Sequence, residues 1–322
     1  MAKTRIVVIG AVFGLLVALP LAYAQTTDLF QLAKSGTALD VQAAISNGAD
    51  VSNKDKNGNT ALMVAAAYNQ NPEVITVLLK AGSDANTQNK FGGTPLGAAA
   101  SQNQNPEVIS TLLKAGADIN FRDNDGGTIL MVASRYNKNH EVIAALLEGG
   151  ADPNAHNKAD VTPLMMAAER NPGVISTLLK GGAQVNAQNK SGSTALFYAL
   201  HPNANPAEIA DLLKAGADAN AQNSHGLTAL MMAVAAEEQD PEVITALLNA
   251  GAQVNAQDNN GETALMWAAA RNQNPGLIVI LLKAGAEATA KDSSGKTAFD
   301  LAQANKSLKG TDAYRQLKEV SQ

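Results

Sequence analysis

The sequence predicts an all-α solenoid, a stack of about nine helix–turn–helix units joined by β-turn or hairpin fingers. Three observations lead there. Threonines recur with a short period, at Thr60, Thr94, Thr128, Thr162, Thr194, Thr228, Thr263 and Thr297, in steps of 34, 34, 34, 32, 34, 35 and 34 residues. A fixed period near 33 residues marks supersecondary units that cannot bury their apolar faces alone and so pack on their neighbours. The same chemical order follows each threonine: a small-residue apolar run, then an Asn-Pro-type opening, then a second apolar stripe. The changes in length fall just before that second opening, residues 169 to 170 being short and 235 to 239 long, where a loop absorbs them.

Taken from the start, residues 1–24 read as an export signal. Lys3 and Arg5 precede an apolar stretch from Ile6 to Leu19, and Ala22-Tyr23-Ala24 offers a small-x-small cleavage site before Gln25. Fourteen apolar residues fall short of the roughly 20 of a spanning helix, so no membrane insertion is expected after cleavage. The chain has no cysteine, hence neither a lipid-modified cysteine nor a disulfide. The expected location is periplasmic or secreted. Residues 28–57 lack the Thr-x-Leu opening and form an N-terminal cap unit.

Residues 55 to 89 show one repeat. Asp55-Lys56-Asn57-Gly58 is a turn, since Asp bonds its own downstream backbone and Gly accepts positive φ. Thr60 caps a first helix, Ala61 to Tyr68, whose alanines allow close helix contact. Asn71-Pro72-Glu73 opens a second helix with a strong cap, a proline suited to the first turn and an acid at the positive dipole end. Val74, Ile75, Leu78 and Leu79 form one apolar stripe, and Gly82 stops the helix. The second-helix opening recurs through residues 58–294, including Asn171-Pro172-Gly173. Residues 295–322 end in the charged run from Asp312 to Glu319, as a C-terminal cap unit should.

The turn from Asn89 to Leu96 and the segment from Leu112 to Asn120 carry the motifs by which this chain resembles the ankyrin-repeat family. The resemblance covers essentially all of 28–322, so residues 25–322 read as one ankyrin-repeat solenoid. The Asn-Pro-Glu openings and the run from Ala264 to Ala269 resemble the style of exported bacterial members. Two departures stand out. The family's usual histidine after Thr-Pro-Leu is replaced by Met63, Gly97, Met131, Met165, Phe197, Met231, Met266 and Asp300, exchanging a polar tie for apolar packing. The turn glycine is replaced once, by Asp160, which suggests altered hairpin geometry at 157–161.

No catalytic, cofactor or metal site is legible. The methionine column is a core column, because helix packing distances of roughly 8–10 Å keep its members from sharing one ion. His140, His156, His201 and His225 lie in different units without ligand spacing, and Asp123-Asn124-Asp125-Gly126 is a turn like its counterparts. Trp267 occupies the slot of Val64, Val132, Met166 and Met232 and is expected in the core. Removing Lys3 and Arg5 from 24 basic residues leaves 22 against 29 acidic ones, a formal charge of −7 after cleavage. That balance argues against nucleic acid or anionic lipid as the general partner.

Members of the resembled family bind proteins in a concave groove lined by turn tips and the ends of first helices. On those positions this chain places Lys56, Lys90, Arg135, Lys158, Arg170, Lys190, Arg271 and Lys296 against Asp125, Glu169 and Glu262, a balance of +5. Tyr68, Phe91 and Tyr136 add aromatic residues in three consecutive units, and aromatic and arginine anchors dominate interface energetics. Tyr68, Phe91, Arg135, Tyr136 and Arg170 are therefore the expected centre of the groove. The implied function is a monomeric, exported protein-interaction module whose partner presents an acidic surface. A structural element of the bacterial envelope is the alternative, and an enzyme on such a frame a third reading.

Overall fold

The protein is described by a computed structural model over residues 28–200, 204–236, 240–271 and 273–321. The export signal expected at 1–24, and His201, lie outside the described residues. Among the described residues nine helix pairs follow one another: α1 (Leu29–Ser35) with α2 (Ala38–Ser46), α3 (Ala61–Tyr68) with α4 (Pro72–Lys80), α5 (Pro95–Gln102) with α6 (Pro106–Lys114) and α7 (Ile129–Tyr136) with α8 (His140–Glu148). Then come α9 (Pro163–Arg170) with α10 (Ile175–Lys180), α11 (Ala195–Ala199) with α12 (Pro206–Lys214), α13 (Ala229–Ala235) with α14 (Pro241–Asn249), α15 (Ala264–Arg271) with α16 (Pro275–Lys283) and α17 (Ala298–Ala302) with α18 (Asp312–Val320). First helices stack on first helices and second on second, giving two helical layers with the core between them. Leu62, Leu96, Leu130 and Leu164 from the first layer meet Ile75, Ile109 and Ile143 from the second, all essentially without solvent exposure.

Local chemistry sets each boundary. The Thr60 hydroxyl accepts from the Met63 N–H at 3.3 Å, and the Asn71 side chain accepts from the Glu73 N–H at 2.9 Å. Gly82 adopts φ +97°, and the Ser83 N–H returns to the Leu78 carbonyl, closing the helix. The two end units use a different device. Thr37 with Asp40, and Thr297 with Asp300, form reciprocal capping boxes, so the acid that departs from the methionine column at 300 serves its own helix.

The repeats are tied together by buried asparagines. Asn103 is fully buried, and its Nδ2 donates to the Ala66 carbonyl at 2.8 Å and the Asn69 carbonyl at 2.9 Å of the preceding unit. Its Oδ1 accepts from the Asn105 N–H at 2.8 Å. Asn69 and Asn137 repeat the pattern. A separate polar tie, from one repeat to the preceding one, is thus carried by asparagine nine residues after the threonine. Met63, Met131, Met165, Met231 and Met266 are buried beside it.

Three local expectations need correction. Asn171 does not cap a second helix: its Nδ2 reaches the Asn137 carbonyl at 2.7 Å, and the chain starts with a 3-10 turn, Pro172–Val174, before α10. In the three preceding units two asparagines share these tasks: Asn69, Asn103 and Asn137 tie, and Asn71, Asn105 and Asn139 cap. The two-residue deletion leaves a single asparagine, and the tie takes it. Thr194 likewise makes no cap, and its buried hydroxyl has no partner, at the head of the five-residue α11. Asp160, finally, does not alter its hairpin. It takes φ 59°, and Asp160 N–H to Asn157 and Asn157 N–H to Val161 reproduce the turn of the glycine-bearing units.

Candidate binding face

The fingers stand beside the first helices, and their geometry is set by the residue that opens each turn. Asp55 Oδ1 accepts from the N–H groups of both Asn57 and Asn59 at 2.8 Å, while Asn59 Nδ2 donates to Asp55 Oδ2. The side-chain bond from Asn59 is the main cause holding the Asp55 carboxyl below its ordinary value. Adjacent fingers are joined by backbone bonds: the Lys90 N–H reaches Asn57, Lys158 reaches Asp125, Lys190 reaches Ala159, Ser224 reaches Ser191, Asn259 reaches His225 and Ser293 reaches Asn260. No corresponding bond joins Asn124 to Phe91 among the described residues.

The sequence-predicted residues fall into three groups on this face. Tyr68, at the end of α3, and Phe91, on a finger tip, are 52% and 79% exposed and line one hollow of about 380 Å³ together with Phe121. The Nζ of Lys34 lies 5.1 Å from the centre of the Tyr68 ring. Arg135, Tyr136 and Arg170 form a second group on the next two units. Arg135 approaches Glu169 at 3.5 Å and donates to Met166 Sδ, its guanidinium lying 5.8 Å from the Tyr136 ring centre, and Arg170 meets the same Glu169 at 3.4 Å. Tyr136 is 59% exposed. One glutamate therefore balances part of both arginines.

The third group is the finger-tip lysines. Lys56, Lys90, Lys158, Lys190 and Lys296 are exposed and form no ion pair among the described residues, so they hold the uncompensated charge of the face. The Nζ of Lys90 does donate to the Lys56 carbonyl at 2.8 Å, which holds two neighbouring cations together.

Arg271 sits apart, three units along from Arg170. It stacks 3.7 Å from the Trp267 ring centre and reaches Glu262 at 4.0 Å. Trp267 is only half-buried, which corrects the expected core placement: its Nε1 donates to Asp258 Oδ2 at 3.2 Å. Tyr198, in the equivalent slot, accepts likewise from Asn189 Nδ2 at 2.9 Å. The slot lies beneath the finger, so a polar aromatic tip there reaches the residue that opens the turn. Burial is the main cause raising the Glu262 carboxyl above its ordinary value. Arg271 opposes that rise, while Asp258 and Asp292 add to it.

Sequence reasoning missed Phe121 and the hollow itself. Phe121 is the one aromatic in a column otherwise held by Asn53, Thr87, Ala155, Ala187, Ala221, Ala256 and Ala290. That contrast is the signal that could have revealed it.

A family model described as "Ankyrin repeats (3 copies)" matches residues 29–123, 65–157, 130–223, 164–258, 201–292 and 230–313. No curated protein matches the chain.

Proposed function

This chain is a member of the ankyrin-repeat family, whose repeats mediate protein–protein interaction, and from that premise we propose an exported bacterial interaction module that binds a protein with an acidic surface on its finger face. One observation carries the reading. Among the described residues five large apolar side chains are exposed, and two of them, Leu39 and Val320, belong to the end caps. The other three, Tyr68, Phe91 and Tyr136, stand in consecutive units on the finger face, Tyr68 beside Lys34, Phe91 next to Lys90, and Tyr136 beside Arg135. Contiguous exposed apolar groups rimmed by charge are the mark of an interaction surface. The cation arrangement favours an acidic partner and a fast, salt-sensitive encounter.

The reading includes export as a monomer to the periplasm or the medium, supported by the charged, apolar and small-residue segments of residues 1–24. N-terminal sequencing of the envelope fraction tests it. A chain beginning at Gln25 agrees, and a chain retaining Lys3 and Arg5 contradicts it.

Binding is tested with Lys56→Glu combined with Lys90→Glu, against the control pair Lys114→Glu and Lys180→Glu on second helices. With the partner isolated from envelope extract, the finger pair should slow association and flatten its salt dependence. Screening acts over about 8–10 Å at physiological ionic strength, so the control pair on the other helical layer should change the rate far less. Equal effects of the two pairs would move binding off the finger face.

A further inference from the structure

Two side-chain columns run beneath the fingers, and both are emptied in one unit. Three residues after the threonine stand Met63, Met131, Met165, Phe197, Met231 and Met266, all buried, but Gly97 in the unit opened by Thr94. One residue later stand Val64, Val132, Met166, Tyr198, Met232 and Trp267, but Ala98 in that unit. The position after the turn glycine is Gly93 there as well. The 380 Å³ hollow is the space these missing side chains leave, floored by Gly97 and Ala98. Ile129, from the next unit, fills only part of it: its Cδ1 lies 3.4 Å from where a Cβ on Gly97 would stand.

What surrounds the hollow specifies an occupant. Its rim is aromatic, formed by Tyr68, Phe91 and Phe121. Its volume lies at the low end of the roughly 300–1,000 Å³ of small-ligand clefts, which suits one large side chain. The finger array is interrupted beside it, at Phe91 and Asn124. Lys56 and Lys90 stand at the adjoining finger tips with no ion pair among the described residues, and Lys34 lies against Tyr68. Asp123 itself lines the hollow and, like the nearby Asp55, accepts bonds from its own turn.

We propose that this hollow is a specificity pocket that receives one aromatic side chain from an acidic segment of the partner protein. The inference rests on the reading that the finger face binds protein, and narrows it to a residue class and a place. The inserted ring lies between Phe91 and Tyr68 over Gly97, while flanking carboxylates meet Lys56 and Lys90.

The test uses the full chain and three probes, followed by amide chemical-shift titration. The first is a capped pentapeptide with tryptophan centred among four glutamates, the second its alanine-centred counterpart, and the third N-acetyltryptophanamide. The tryptophan peptide should shift the Gly93, Gly97 and Ala98 amides and bind at least tenfold more tightly than either other probe. Gly97→Met and Ala98→Met, which restore residues found in the same columns, should each weaken it at least tenfold. Circular dichroism melts confirm folding, and the Ala98 variant serves where Ile129 resists the Gly97 one. Lys56→Glu with Lys90→Glu should weaken both peptides. If the two peptides bind equally and only the lysine changes matter, the pocket is overturned while the finger-face reading stands. Binding of N-acetyltryptophanamide as tight as that of the peptide would make the hollow a small-molecule site and overturn the proposal. If neither peptide binds, an acidic aromatic segment is the wrong occupant, and the finger face itself is then judged by cross-linking to the partner.

Discussion

Replacing Asn103 by alanine should cost far more than the same change at Asn171, although both lie nine residues after a threonine and both are buried. Asn103 makes three bonds: two donated to the Ala66 and Asn69 carbonyls and one accepted from the Asn105 N–H. Its backbone is extended, with φ −76° and ψ 140°, so alanine introduces no strain. A net intramolecular hydrogen bond contributes about 0.5–1.5 kcal/mol, and an orphaned buried partner costs about 1–3 kcal/mol. Three lost bonds thus come to roughly 3–5 kcal/mol. Asn171 donates once, to the Asn137 carbonyl, and its loss comes to roughly 1–2 kcal/mol. Urea unfolding gives the stabilities, and hydrogen exchange shows where they fall, since neighbouring units share interface energy. The Asn103 variant should lose protection in α3, α5 and the start of α6 before distant helices respond. Equal costs for the two changes, or loss of protection spread evenly along the chain, would refute the asparagine tie between repeats.

Asp160→Gly should stabilise the protein by up to about 1 kcal/mol in urea unfolding, because glycine reaches φ 59° without a Cβ penalty. A destabilised variant would mean that the exposed 3.0 Å pair with His156 outweighs backbone strain. The Asp40, Asp55 and Asp300 carboxyls are held low, chiefly by the Thr37 backbone, the Asn59 side chain and the Thr297 backbone respectively. Their contribution is complete above the ordinary aspartate value near 3.8 and is lost as pH falls through their lower folded values. Asp40 and Asp300 are exposed and all three groups are screened by solvent, so Tm should decline only modestly below about pH 3.8. Glu262 has the opposite sign: its raised folded value makes ionisation unfavourable to the fold, a cost relieved on acidification. Glu262→Gln should therefore raise Tm slightly at pH 7 and converge with the parent in acid; a lower Tm at pH 7 would show that pairing with Arg271 dominates. Removing residues 297–322 uncovers Met266 and the core beneath it, and should reduce solubility more than deleting one internal unit; a soluble truncation with unchanged melting contradicts this.

The fold was legible because its determinants are local and periodic. Eight threonines, six prolines and seven glycines at nearly constant offsets specify cap, first turn and stop, and their common register leaves one architecture. Where the sequence misled, one residue faced two tasks. Asn171 carries the right letter for a cap, but the deletion before it merges the capping and tying positions, and only spatial pairing with Asn137 shows which task prevails. Asp160 reads as a broken turn, yet its left-handed backbone keeps every turn bond in place. The binding face was legible as positions and as net charge. Its electrostatics were not, because Arg135 and Arg170 converge on Glu169 across a repeat boundary, leaving the free charge on lysines. A hollow is made of what is missing, and Gly97, Ala98 and Phe121 depart from their columns in sequence, but only the structure shows that the three departures meet at one place.

Site-specific photo-cross-linking tests the central claim, recognition of a protein by the finger face, most directly. Benzoylphenylalanine is placed at position 91, on an exposed finger tip, and separately at position 107, on the exposed side of α6. After irradiation in the envelope, position 91 should yield one stoichiometric adduct with a protein bearing an acidic surface, lost when Lys56→Glu and Lys90→Glu are introduced. Position 107 should yield none. An adduct from 107 with none from 91 would contradict the account and place recognition on the second-helix layer.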